Sequence, residues 1–193
     1  MPNKHKDFIK ALEFANKVHW EIKRKGTETP YIAHPMAVAS LVMENDGTAE
    51  EVIAAFLHDV LEDSKELDYE DIESEFGTRV ADIVLGLSDD NPIGDESKRP
   101  WKERKLDYID HLEKTKDDSI VKVSCADKLH NARTILSDLK DPKVGSTVWS
   151  KFKASREETL WYYKSLAEIF KAKLPGMRLS IELADVVKEM DNF

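Results

Sequence analysis

The sequence predicts an all-α fold, a single compact bundle of about nine helices. Three observations carry this. Apolar residues recur at three-and-four spacing almost throughout. Glycines, prolines and capping pairs punctuate the chain at helix-length intervals. No segment alternates apolar and polar residues with the period of a half-buried strand. A chain of 193 residues suits one domain, with a motif-bearing core of about 4–172 and a C-terminal helix of about 177–192.

Phe8, Leu12, Ala15, Val18 or His19, and Ile22 trace a first amphipathic helix that should end near Lys25-Gly26, since glycine commonly terminates helices. Thr27 to Pro30 is a turn, and Pro35 fits the first turn of a second helix carrying Met36, Val38, Ala39, Leu41 and Val42. That helix stops at Asn45-Asp46-Gly47. Thr48, with Glu51 three residues on, is a capping box opening a third helix that runs through Phe56 and Leu57 to Val60 and Leu61. Shorter helices follow at about Tyr69–Phe76 and Arg79–Leu87. Ser88 to Pro100, dense in charge and holding two prolines, reads as an exposed loop, and its length raises the question of a lid. Helices resume at about Trp101–Lys114, Ile120–Leu139, Val148–Lys173 and Leu179–Met190. The last has an apolar stripe fit to pack on the core or on another subunit, so a homo-oligomer is one expected arrangement.

Composition excludes several classes. The chain is 41% hydrophobic and 35% charged, with 7 Gly and 7 Pro, which rules out collagen-like, disordered and disulfide-scaffold proteins. With 29 Lys+Arg against 38 Asp+Glu the formal charge is -9, the wrong sign for a general nucleic-acid surface. The single cysteine forms no internal disulfide and suits a reducing compartment. Neither a signal peptide nor an apolar run long enough to span a bilayer is visible, so the expected location is cytoplasmic, with no membrane partner.

The most informative stretch is His58-Asp59-Val60-Leu61-Glu62-Asp63. On a helix, His58 and Glu62 share a face, as do Asp59 and Asp63. An imidazole beside a carboxylate can bind a divalent metal, and carboxylates one turn on can handle protons. Two ligands are too few for a catalytic site. His34 and Asp127, both amid apolar residues, are candidates for the rest. Taken alone, an HD pair is a commonplace of helix surfaces, His34 reads as a core or capping histidine, and Asp127 as a structural acceptor. The conjunction changes that reading.

Spaced in this way the residues resemble the HD-domain phosphohydrolases. They are most similar to the hydrolase domain of the RelA/SpoT alarmone enzymes, in the stand-alone form called small alarmone hydrolases. The matching phrases are Arg24-Lys25-Gly26, Thr29 to Pro35, Ala54 to Asp63, Phe76-Gly77, Glu103-Arg104-Lys105 and Ala126 to Arg133, with a weaker match over Glu158 to Tyr163. The resemblance implies that His34, His58, Asp59 and Asp127 ligate one divalent ion, Mn²⁺ in that family. Ligand type alone would not separate manganese from iron, zinc or cobalt. It further implies that Glu62 and Asp63 position and activate the attacking water, that Arg24 and Lys25 lie by the base and phosphates of a nucleotide, that Tyr31 lines the base pocket, and that Asn131 contacts the sugar. Lys23-Arg24-Lys25 is the best local basic cluster in an acidic chain, although cations there also complement a helix C-terminus.

The expected activity is therefore metal-dependent removal of the 3′-diphosphate of ppGpp or pppGpp, giving GDP or GTP and pyrophosphate, with no alarmone synthesis. Two rivals stay open: the same chemistry on ppApp or on the 2′-phosphate of NADPH, and a metal- and nucleotide-binding regulator without turnover. His5, His19 and His111 show no partner pattern and read as surface or core residues.

Overall fold

The structure is a computed structural model, and it describes residues 4–64, 66–88 and 99–193. Among these, ten α-helices and one 3₁₀ helix account for the regular structure, and the chain divides into two compact units, Met1–Lys98 and Arg99–Phe193. The all-α expectation holds.

The first unit contains α1 (Lys4–Val18), α2 (Ala33–Glu44), α3 (Ala49–Leu57), α4 (Val60–Asp63), α5 (Tyr69–Phe76) and α6 (Thr78–Leu87). Its centre is α3, against which α1, α2 and α6 pack. Every residue from Glu51 to Leu57 is buried, so this helix is apolar nearly all round, as an enclosed helix must be. Burying a side chain such as Leu57 contributes about 1.5–3 kcal/mol. Thr48 caps α3 as the sequence predicts: its side chain accepts from the Glu51 amide at 3.2 Å, while Glu51 accepts from the Thr48 amide at 2.8 Å. Gly47 has to be glycine, because a Cβ there would come within 2.4 Å of Val42 Cγ1 and 2.7 Å of the Val42 carbonyl oxygen.

Two expected elements in this unit change. The first helix stops at Val18 rather than near Lys25, and the chain turns back on itself. The Arg24 amide donates to the Thr29 carbonyl at 2.9 Å, the Tyr31 amide donates to the Ile22 carbonyl at 2.8 Å, and Lys23 and Pro30 form an isolated antiparallel bridge. Gly26 supplies the positive φ of 72° that the reversal needs. The third helix also does not run straight to Leu61. It interrupts at His58-Asp59, where Asp59 sits near the bridge region at φ −100°, ψ −2°, and α4 follows.

The second unit contains α7 (Trp101–Lys114), α8 (Asp118–Lys140), a 3₁₀ helix (Gly145–Lys151), α9 (Arg156–Lys173) and α10 (Arg178–Met190). The expected single helix over 148–173 is thus two elements. The break has a local cause: Ser155 and Glu158 form a second capping box, which starts α9 afresh. The C-terminal helix α10 packs on α8 and α9 of its own chain, burying Leu179, Leu183, Val187 and Met190. Ion pairs Arg133–Glu182 and Lys140–Glu189 flank that seam. Most of the expected Ser88–Pro100 loop, and with it the question of a lid, lies outside the described residues.

Candidate active site

The first unit gathers most of the candidate residues. Within α2, His34 occupies the first turn and is 1% exposed; His58, just beyond α3, is 4% exposed. Their imidazoles meet edge to face with centroids 4.9 Å apart, and the two Nε2 atoms lie 3.2 Å from each other. Asp59 completes the group. Its Oδ2 is 3.0 Å from His58 Nε2 and 3.6 Å from His34 Nε2. The two adjacent residues sit at the interruption between α3 and α4, where both keep αR backbone angles.

Hydrogen bonds fix the orientation of these donors. His58 Nδ1–H donates to the Ala55 carbonyl at 2.8 Å, which sets the tautomer and leaves the Nε2 lone pair directed at His34 and Asp59. Tyr31 donates its hydroxyl to Asp59 Oδ2 at 2.6 Å. Its ring stands edge to face with His34 and has the Arg24 guanidinium 5.6 Å above its centroid. Arg24 is thus held at the site by the short hairpin, while Lys25 is exposed beside it.

The donor set suits a divalent cation. One ligand atom from each of His34, His58 and Asp59 lies within 4.8 Å of the other two. Two imidazole nitrogens in close approach beside a carboxylate, all largely buried, repel unless a proton or a cation lies between them. Imidazole and carboxylate together form a borderline ligand set that accepts several first-row metals. These three residues could therefore hold one divalent metal ion.

Immediately after Asp59, α4 carries Glu62 and Asp63. The Asp63 amide donates to the Asp59 carbonyl at 3.0 Å, so Asp63 lies one turn along from that donor. Its side chain is 30% exposed and also approaches His19, whose Nε2 is 3.3 Å from Asp63 Oδ2. His19, which shows no partner pattern in the sequence and reads there as a surface or core residue, is a core residue beside the candidate proton handler; no local spacing reveals the pairing, because it depends on where α1 stops.

Asp127 and Asn131 lie in the second unit, one turn apart on α8. Asn131 Nδ2 donates to Asp127 Oδ1 and Lys128 Nζ donates to Oδ2, each at 2.6 Å. Burial alone would pull the Lys128 ammonium down, but the Asp127 carboxylate against it outweighs this and holds it well above the ordinary lysine value. Lys128 also lies over the Tyr108 ring at 4.9 Å, and Tyr108 in turn shares a 2.6 Å hydrogen bond with Ser124. Lys128 was not singled out in the sequence, although it adjoins a candidate ligand. Two further cations meet aromatic faces in this unit, Lys102 over Trp161 and Lys105 over Tyr162.

The chain is similar to several known proteins. The family profile of the HD domain matches residues 11–160. A guanosine-3′,5′-bis(diphosphate) 3′-pyrophosphohydrolase of Aquifex aeolicus is 37% identical over 134 residues, which is 69% of this chain and 18% of that protein. The 3′-pyrophosphohydrolase MESH1 of Danio rerio is 37% identical over 130 residues, 66% of this chain and 68% of that one. Among solved structures, a metazoan ortholog of SpoT described as hydrolyzing ppGpp superposes with a TM-score of 0.72 at 25% identity, covering 94% of each chain. A Listeria monocytogenes protein superposes with a TM-score of 0.67 at 28% identity, covering 80% of this chain and 96% of that one.

The chain belongs to the HD domain family. It spans 18% and 16% of the length of the Aquifex and Synechocystis pyrophosphohydrolases it matches, and about two thirds of the smaller MESH1. Among the described residues, no helix is long and apolar enough to cross a membrane.

Proposed function

We propose that this protein is a metal-dependent phosphohydrolase that removes the 3′-diphosphate of ppGpp or pppGpp, releasing pyrophosphate and GDP or GTP, and that residues 1–193 act as one HD-type domain. The observation that carries the reading is the convergence of His34, His58 and Asp59 on one point, directly ahead of the Glu62-Asp63 pair. The similarity to enzymes named for this reaction supports the substrate class.

In this reading His34, His58, Asp59 and Asp127 hold one ion, Mn²⁺. A divalent ion held there polarises a phosphoryl oxygen and makes a nearby water more acidic. The remaining work falls to the chain's own groups. Glu62 and Asp63 orient the attacking water and take its proton as oxygen adds to the phosphorus. The bond from that phosphorus to the ribose 3′ oxygen breaks, and the leaving oxygen keeps its electron pair and receives the proton that the carboxylate pair took from the water. Arg24 and Lys25 bind the anionic substrate in a protein whose overall charge repels it. Tyr31 orients Asp59 and offers its ring to the base, and Asn131 steadies Asp127 while reaching for the sugar.

The test is a substrate panel. Metal-stripped protein, with and without added Mn²⁺, is incubated separately with ppGpp, ppApp and NADPH, and products are resolved by anion exchange. GDP formed from ppGpp only when Mn²⁺ is present is the expected result. Cleavage of ppApp or NADPH instead would move the substrate, and no product from any of the three would replace turnover with a binding role.

A further inference from the structure

α1 stops one residue before His19, and the imidazole that follows is fully enclosed, with 0% of its side chain exposed. Its Nε2 faces Asp63 Oδ2 at 3.3 Å, yet neither ring nitrogen completes a hydrogen bond among the described residues. A buried imidazole with both nitrogens unsatisfied is costly, and an apolar side chain would fill the same space without that cost. The ring also has little freedom to turn away. It packs on Tyr31 with centroids 4.8 Å apart and planes tilted by 47°, and Tyr31 is itself tied to Asp59.

We propose that His19 is the positioning residue for Asp63: its Nε2–H, donated to Oδ2, holds that carboxylate in the orientation from which it manages the proton of the attacking water. The inference rests on the reading of Asp63 as one of the proton-handling pair. Catalytic hydrogen bonds are often long or poorly aligned before substrate binds and tighten in the complex; a buried donor already 3.3 Å from its acceptor needs only a small rotation to close. Because a neutral imidazole carries one N–H, the role requires the Nε2–H tautomer. Tyr31 then serves both sides of the site, with its ring against His19 and its hydroxyl on Asp59.

Two readouts test this. The first uses metal-free protein and needs no substrate: a long-range ¹H–¹⁵N spectrum of the imidazoles. His19 is expected as the Nε2–H tautomer, with signals that move on Asp63→Asn while those of His111 stay in place. An Nδ1–H tautomer, or His19 signals indifferent to Asp63→Asn, would overturn the proposal. The second readout is kinetic, on Mn²⁺-loaded enzyme with ppGpp. His19→Phe keeps the ring's bulk and removes the donor; His19→Gln keeps a donor at similar reach. The expected result is a kcat lowered by about 10–100-fold in His19→Phe with little change in KM, and most of it recovered in His19→Gln. Equal losses in both variants would contradict the positioning role. A wild-type protein that leaves ppGpp intact would sink the substrate reading, while the spectra still decide the His19–Asp63 contact.

Discussion

The Nε2 atoms of His34 and His58 stand 3.2 Å apart with Asp59 Oδ2 3.0 Å from the latter, and the hydrogen bond from His58 Nδ1–H to Ala55 directs the His58 lone pair into that space. Without a proton shared between them these donors repel one another, and a cation relieves that repulsion. Metal should therefore stabilise the fold. With Mn²⁺ at about 100 times its dissociation constant, linkage adds about 2.7 kcal/mol, or a rise in Tm of about 5–10 °C for a chain of this length. Differential scanning calorimetry of stripped and reloaded protein checks this, and His58→Ala should show no such rise.

Tyr31→Phe should weaken Mn²⁺ binding by about 10–100-fold, because the hydroxyl that orients Asp59 is lost while the ring stays in place. Isothermal titration calorimetry reads the affinity, and circular dichroism should show unchanged helix content. An unaltered affinity would remove Tyr31 from the support of the site.

Glu62→Gln and Asp63→Asn should separate binding from turnover. Neither residue is assigned to the metal, so both variants should keep wild-type Mn²⁺ affinity while kcat falls by about 10²–10⁴-fold. Loss of metal binding along with activity would reassign these carboxylates as ligands.

Cys125 is fully buried in α8, and burial pushes its thiol far above the ordinary value. The folded protein thus favours the protonated thiol. That contribution to stability is complete below the unfolded thiol's value of about 8.5 and is lost as pH rises above it toward the folded value, at up to about 1.4 kcal/mol per pH unit. Urea unfolding at pH 7 and pH 10 should show a fall that is smaller in Cys125→Ala. Iodoacetamide labelling of the native protein should be slow and should accelerate on unfolding.

Removing a cap should cost stability without touching the site. Ser155→Ala deletes the acceptor for the Glu158 amide and should cost about 1 kcal/mol, a Tm lower by about 2–4 °C. Gly47→Ala should cost more, since its Cβ would collide with the Val42 backbone as well as its side chain.

Much of this was legible in the sequence, and the parts that were not share a cause. Thr48 with Glu51 announced α3, because a capping box is a local device written in two residues. Apolar periodicity gave the helices, and the phrases around His34, His58 and Asp127 gave the site's vocabulary. Periodicity, however, continues across a break that keeps the buried face. Ala15, Val18, His19 and Ile22 keep a helical rhythm even though α1 ends at Val18, and Val60-Leu61 extend the stripe of α3 across the interruption at His58-Asp59. The Ser155–Glu158 box was written as plainly as the first, but an apolar run on both sides hid it. His19 and Lys128 were invisible for a different reason: each acquires its meaning from a partner's carboxylate, and only folding brings the first of those partners near.

The most direct test of the central claim compares metal-stripped wild-type protein and Asp59→Ala, both resupplied with Mn²⁺, for release of pyrophosphate from ppGpp. The wild type should release pyrophosphate and GDP in equal amounts once Mn²⁺ is restored, and Asp59→Ala should release neither. Pyrophosphate released by stripped wild type without added metal, or at an undiminished rate by Asp59→Ala, would contradict a reaction centred on His34, His58 and Asp59.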